Sequence, residues 1–163
     1  MLKIVVISDT HRSRWEDIPL EMKKAVAEAD WAIHCGDYTG KGVMEGMRRH
    51  ARRFIGVCGN TDVGEIHHSL PAKQVLEVEG KKIGITHPVW GGPPFHPEEL
   101  LAEFDHRLDA LLFGHLHETW NRVWRGVLLF SPGQGYPAFG TPATMGILTI
   151  DRGEIKGEIK LVR

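Results

Sequence analysis

With 163 residues, 25% of them charged, and a formal net charge of −1, the chain fits one domain and lacks the global charge that would favour nucleic acid or an anionic membrane. Its 42% hydrophobic content is ordinary for a globular core, and no apolar run approaches the roughly 20 residues a membrane span requires. Met1 leads directly into strand-like sequence, so no signal peptide is expected. Cys35 and Cys58 each sit in an apolar run before a glycine and read as buried free thiols suited to a reducing cytoplasm, a disulfide being the alternative.

The first run, Ile4 to Ile7, is β-branched and uncharged, which predicts a strand covered on both faces. It passes through Ser8 to Asp9 and His11, whose side chains can turn toward one point beyond the sheet edge. A polar loop over 12–17 follows. Pro19 can open a helix through Ala29, with Leu20, Met22, Val26 and Ala29 as candidate buried residues. A second strand from Trp31 to Cys35 runs into Gly36-Asp37. Tyr38 to Gly42 reads as loop and Val43 to His50 as a short helix. The basic residues at its end, Arg48, Arg49, Arg52 and Arg53, read as solvated cations complementing the helix dipole, with an anion-attracting rim as the alternative.

A third run, Phe54 to Cys58, leads into Gly59-Asn60, and Gly64 to Pro71 reads as a loop carrying His67 and His68. Val75 to Val78 and Lys82 to Thr86 flank the turn Glu79-Gly80-Lys81, and this hairpin ends in His87. Pro88 to Pro97, with four prolines and two glycines, excludes helix and central strand and predicts a stiff loop beside His87. Glu98 to His106 reads as helix. Leu111 to Phe113 then leads into Gly114-His115-Leu116-His117. The last third is strand-like: Thr119 to Trp124, Val127 to Phe130, Thr144 to Ile150 and Ile155 to Val162. Arg125-Gly126 and Asp151-Arg152-Gly153 read as turns, and 131–142 as a Gly/Pro-rich connection. With no repeat and no linker, residues 1–163 are expected to form a single domain, a mixed sheet system with helices packed outside it.

Five apolar runs thus each end in a residue able to bind metal: Asp9 and His11, Asp37, Asn60, His87, and His115 with His117. Alone, each is an ordinary turn or structural histidine. Together they fall where open α/β sheets bind ligands, and they exceed the four ligands that close one tetrahedral zinc site. The set suits two metals sharing a carboxylate, an apparatus for in-line displacement at phosphorus.

Asp9-Thr10-His11, Gly36-Asp37, Gly59-Asn60, a strand ending in His87, and Gly114-His115-Leu116-His117 resemble the motif series of calcineurin-like metallophosphoesterases. Their compact spacing is similar to that of the small bacterial and archaeal phosphodiesterases, a group that includes the retromer subunit with the phosphoesterase fold. The resemblance implies a four-layer αββα sandwich of two mixed sheets flanked by helices. It places Asp9, His11, Asp37 and His117 on a first metal, with Asp37 bridging, and Asn60, His87 and His115 on a second. It implies two divalent ions, manganese by expectation, with zinc, iron, cobalt and nickel as alternatives because mixed nitrogen and oxygen ligation does not select one. A hydroxide shared by the ions would attack phosphorus in line, with Asp37 and Asn60 as catalytic residues.

The resulting expectation is a cytoplasmic, metal-dependent phosphodiesterase acting on a small phosphate ester or nucleotide. The alternatives are a phosphomonoesterase or nucleotide pyrophosphohydrolase, and a non-catalytic interaction scaffold whose mark would be lost ligands; a homo-oligomer is left open. Two departures bear on chemistry. Thr61 occupies the position where many members carry a histidine that can protonate the leaving group, and His87-Pro88-Val89 replaces the His-Gly-His of close relatives. Thr61, Asp62 and His96 are candidates for the substrate rim, with Asp62 also able to orient a ligand or the loop. His34 reads as core or as support for the ligands; His67 and His68 face solvent or the rim.

Overall fold

Strand β1 (Leu2–Ile7) alternates its side chains between two interiors, and that alternation sets the layers of the molecule. Val5 and Ile7 pack with Met22, Val26, Val43 and Met47 on one side. Ile4 and Val6 pack with Ile83, Ile85, Leu112 and Phe130 on the other. The computed structural model describes residues 1–88 and 96–163. In chain order after β1 come a 3-10 turn (Trp15–Asp17), α1 (Leu20–Glu28), β2 (Trp31–His34), α2 (Lys41–His50), β3 (Phe54–Gly56), α3 (Gly64–Ser69), β4 (Lys73–Val78) and β5 (Lys81–Thr86). Then follow α4 (Pro97–Leu101), β6 (Ala110–Phe113), β7 (Thr119–Trp124), β8 (Val127–Pro132), β9 (Ala143–Asp151) and β10 (Glu154–Val162).

Two five-stranded sheets result, ordered β10-β9-β1-β2-β3 and β4-β5-β6-β8-β7. Both are mixed. β1, β2 and β3 are parallel while β9 returns antiparallel beside β1; β5, β6 and β8 are parallel between antiparallel β4 and β7. Helices α1 and α2 cover the first sheet, and Leu100 of α4 joins Leu111, Phe113 and Leu129 on the outer face of the second. Helix, sheet, sheet, helix is the expected four-layer arrangement. Among the described residues no helix is long and apolar enough to cross a membrane, and both cysteines are buried free thiols.

Several local expectations need correction. Gly64 to Ser69 is helical rather than loop, because burial of Ile66 and Leu70 beneath it outweighs a polar local sequence. The helix expected over 98–106 stops at Leu101; Phe104 and Leu108 beyond it still pack on the outer cluster with Leu100, but from a turn and irregular chain rather than a helix. Leu20 is 64% exposed, because the buried stripe runs through Met22, Ala25, Val26 and Ala29 and Leu20 points away from it. Two hairpin turns are one residue shorter than expected: Lys81 pairs with Val78 and Asp151 with Glu154. The turn residues Glu79-Gly80 and Arg152-Gly153 all have positive φ, the signature of a two-residue hairpin connection.

The basic segment after α2 lies at the far end of the sheet from the strand ends that carry Asp9 and Asp37, since α2 runs back antiparallel to β2 before β3 begins. Arg52 pairs there with Asp30 at 3.7 Å and Arg53 lies over Trp31, so the solvated reading holds and the rim alternative does not. Of the stiff loop expected over 88–97, residues 89–95 lie outside the described residues.

The two sheets meet on Phe130. Its fully buried ring lies against Gly146 of β9, where any Cβ would overlap it. Gly146→Ala should therefore lower the unfolding free energy by about 1–3 kcal/mol, the usual range for overpacking, in urea titrations. Adding Phe130→Leu should recover part of that loss.

Candidate metal centre

The parallel strands release their chain at one end of the sandwich, and the loops that leave there are tied to one another by backbone hydrogen bonds. Asp9 N donates to Gly36 O (3.0 Å), His11 N to Asp37 O (3.2 Å) and Arg12 N to Tyr38 O (3.0 Å). This ladder puts the β1 and β2 loops in register. Close approach of the others depends on missing side chains: a Cβ at Gly59 would run into the Asp37 carboxylate, and one at Gly114 into Ser8 Oγ and Asp9 Oδ2.

The loops share a second property. Asp9, His11, Asp37, Thr39, His115 and His117 have φ of 48°, 43°, 58°, 82°, 80° and 58°, a left-handed conformation in which non-glycine residues are uncommon. They occur as three pairs two residues apart, one pair at each of three strand ends. Each such residue costs on the order of 1 kcal/mol or more, a strain that persists where surrounding structure over-determines it and that concentrates at functional sites.

Two donor sets converge. Asp9, His11 and His117 form one and Asp37, His87 and His115 the other, each with its ligand atoms within 4.8 Å of one another. In the first, His117 Nε2 lies 3.2 Å and His11 Nε2 3.9 Å from Asp9 Oδ1. In the second, His87 Nε2 lies 3.4 Å from Asp37 Oδ2. Asn60 Oδ1 joins this set, 3.0 Å from His87 Nε2 and 3.1 Å from His115 Nδ1. Asp37 Oδ2 is also 3.7 Å from His11 Nε2, so one oxygen faces both sets.

Outer hydrogen bonds hold Asp9, Asp37 and His87 in place. Asp9 Oδ2 accepts from Ser8 Oγ (2.6 Å) and His115 N (3.0 Å), which leaves Oδ1 for the centre. Asp37 Oδ1 accepts from Thr61 N (2.9 Å), which leaves Oδ2. His87 Nδ1 donates to Cys35 O (2.7 Å), so the lone pair of its neutral ring is on Nε2, facing two oxygens. Acceptors meeting acceptors repel unless a proton or a cation lies between them. Asp9 Oδ1 and His11 Nε2 are buried without hydrogen-bond partners among the described residues, which is the environment a bound cation satisfies. This mixed set of imidazole, carboxylate and amide donors fits two divalent ions.

The electrostatics agree. Burial alone would raise the Asp37 carboxyl, but His87 and the Thr61 amide outweigh it and hold it well below the usual carboxylate range. Burial likewise opposes a charged His87, yet Asp37 and Asp9 draw its pKa up. Asp9 raises His117, whereas burial and the neighbouring His87 lower His115.

Beneath the donors lies a support layer. Asp62, expected at the rim, is buried, and its carboxylate accepts from the backbone N–H of Asp37 (3.0 Å), Thr39 (3.0 Å) and Gly59 (2.6 Å). It orients the loop, the other role expected of it. His34 is fully buried, and burial pushes its pKa down to about 3. Its Nδ1 accepts from Gly36 N and its Nε2 donates to Thr10 Oγ1, each at 3.1 Å, while its ring stacks on Tyr38. Thr61 is exposed beside Asn60. His67, His68 and His96 are exposed, on α3 and before α4.

Sequence reasoning missed Ser8, which bonds Asp9, and Tyr136, whose ring centroid is 5.2 Å from that of His11 and 6.1 Å from that of His117. Ser8 could have been found by its place between the strand and Asp9. Tyr136 carries no such signal, coming from a connection distant in sequence.

The chain belongs to the calcineurin-like phosphoesterase superfamily, whose domain model matches residues 2–153. It is 34% identical over 140 residues to a probable metallophosphoesterase of Methanocaldococcus jannaschii, a match covering 80% of this chain and 66% of that protein. It is 26% identical to a phosphodiesterase of the same organism, covering 95% of this chain and 97% of that one. The solution structure of a Thermotoga maritima protein superposes with a TM-score of 0.78 at 32% identity, covering 99% of this chain and 100% of that one.

Asp62→Ala should lower stability by about 3 kcal/mol or more in denaturant titrations, since it strands three backbone donors at once. Zinc affinity measured by calorimetry should fall as pH falls toward the ordinary imidazole pKa of about 6.5, and the fall should begin above that value. The sign follows from the upward shifts of His87 and His117, whose protons must leave before a metal can bind.

Proposed function

We propose that this member of the superfamily is a dinuclear-metal phosphoesterase that hydrolyses small phosphate esters, diesters foremost, with residues 1–163 working as one domain. One observation carries the reading: Asp37 Oδ2 faces His11 Nε2 at 3.7 Å and His87 Nε2 at 3.4 Å, joining two donor sets through a single carboxylate. In this reading Asp9, His11 and His117 hold one ion, Asn60, His87 and His115 the other, and Asp37 both. Manganese is the expected metal, with zinc, iron, cobalt and nickel as alternatives.

When bound, such ions supply Lewis-acid charge at phosphorus and a water acidic enough to attack near neutral pH. The chain supplies orientation. Asn60 turns its Oδ1 toward His87 and His115, so its amide nitrogen is the end left to donate to a phosphoryl oxygen. The rigid αL loops hold these groups in place before substrate arrives, and that preorganisation favours the transition state. Retention of every donor type distinguishes this chain from a scaffold that has lost its ligands.

Protonation of the leaving group is the step for which the centre is least equipped. Thr61 brings a hydroxyl to the place beside Asn60, and a hydroxyl is a poor general acid near neutrality. Aryl esters, whose leaving oxygens need no proton, are therefore the best substrates, and the 26%-identical phosphodiesterase relative fits a preference for diesters.

Metal analysis with a hydrolysis panel tests the assignment. The purified chain should bind two equivalents of manganese, and Asp37→Asn should reduce turnover by about 100-fold or more while remaining folded. Full activity and metal content in Asp37→Asn would exclude it. Across phosphate diesters graded by leaving-group pKa, rates should fall steeply as that pKa rises, and Thr61→His should flatten the slope; a flat series in the natural chain would reveal an acid elsewhere.

A further inference from the structure

Arg12 directly follows His11, and its guanidinium is held where the proposed centre opens. Its backbone is pinned between the loops: Arg12 N donates to Tyr38 O (3.0 Å), and Gly40 N donates back to Arg12 O (3.4 Å). The side chain turns back so that Nη1 donates to His11 O at 3.1 Å. Its Cζ lies 5.1 Å from the centroid of the Tyr136 ring, and that ring also meets His11 and His117 in T-shaped geometry. Arg12 is half-buried, yet among the described residues it makes no ion pair; Asp17, whose carboxyl feels its charge, is engaged by Arg14 at 2.8 and 3.1 Å. A guanidinium has five N–H donors, and this one spends one of them on the carbonyl of a candidate ligand.

Tyr136 is placed as firmly. Gly135 N donates to Ser8 O (2.8 Å) and Asp9 O (3.1 Å), which lays the connection from β8 across the first loop. A Cβ at Gly135 would come 2.7 Å from Thr10 Cγ2 and 3.0 Å from Ser8 O, so only glycine allows the approach. Gln134 Nε2 then donates to Tyr136 O at 2.8 Å. The ring becomes a wall on the His11 and His117 side, and the guanidinium lies against it. A fixed cation with a planar fork of donors, and no ion pair among the described residues, matches the oxygens of a phosphate.

We propose that Arg12 is a substrate-binding residue that takes the non-reacting oxygens of the phosphate group on the His11 and His117 side, and that Tyr136 is the positioning residue that holds it. The proposal rests on the phosphoesterase reading above and names the group that recognises the substrate's charge. Its loss weakens binding most for the ligand with the most charge, a dianionic monoester or inorganic phosphate, and least for a monoanionic diester.

The test uses the manganese-loaded full chain and inorganic phosphate as probe, with binding followed by calorimetry. Arg12→Gln keeps the stem and removes the charge. It should weaken phosphate binding by about 10- to 100-fold, the worth of a charge-assisted bidentate contact, with manganese stoichiometry unchanged. Arg12→Lys should fall between the two. Tyr136→Leu should weaken phosphate binding in the natural chain and add nothing in the Arg12→Gln background. With aryl substrates, Arg12→Gln should raise KM more than it lowers kcat, and more for the monoester than for the diester. Unchanged phosphate affinity in Arg12→Gln would overturn the assignment. So would loss of manganese in that variant, which would make Arg12 a brace for the His11 carbonyl. A natural chain that binds manganese but neither binds phosphate nor hydrolyses any ester would overturn the phosphoesterase reading itself. A natural chain that does both, matched by Arg12→Gln, would remove only the role of Arg12.

Discussion

Everything at the open end of this molecule depends on holding hydrogen-bond acceptors face to face. Asp9 Oδ1, Asp37 Oδ2, Asn60 Oδ1 and the imidazole nitrogens converge, while Asp9, Asp37 and His87 spend their other polar atoms on hydrogen bonds facing away from the centre. Such an arrangement is unfavourable in isolation, since lone pairs and carboxylate charge repel at these distances. It persists because the surroundings leave no room to relax. Three αL pairs fix the backbone, the β1 and β2 loops are zipped together, and Asp62 binds three amides from below. A divalent cation held there would offset the same repulsion, which is why these donors form a candidate metal centre.

How much of this was legible in the sequence follows from the same physics. Parallel strands covered on both faces read as unbroken apolar runs, and their last residues deliver the donors directly, so Asp9, Asp37, His87 and His115 were visible as punctuation after β1, β2, β5 and β6. The layered architecture was not. Strand alternation predicts sheets with helices outside; the division into two sheets came only through family resemblance, and the insertion of β9 beside β1 only from the structure. Local signals also failed where burial decides. Ile66 makes a helix of a stretch that reads as loop, and the helix that reads as continuing past Leu101 gives way to a turn and irregular chain whose Phe104 and Leu108 pack on the same outer cluster.

The support around the donors was the least legible part. Asp62 reads as a polar residue near a motif, and only the structure shows its carboxylate gathering the amides of two loops. Tyr136 and Arg12 are separated by most of the chain and joined by a glycine whose missing Cβ has no signature in isolation. Contacts of this kind are properties of topology, so a single sequence holds them without displaying them.

That topology has a further consequence, in time. The second residue of the chain pairs with residue 150, and the Asp9 carboxylate accepts a hydrogen bond from the amide of His115, 106 positions later. β1 is a central strand of its sheet, yet its antiparallel neighbour β9 lies far along the chain from it. The core therefore cannot close until β9 has been made, and contacts this distant in sequence are slow to form. Until β6 and β9 arrive, the first loop has neither the amide that orients its carboxylate nor the neighbour that shields its strand. The donor cluster is then assembled late, by contacts distant in sequence, rather than serving as a nucleus around which folding begins.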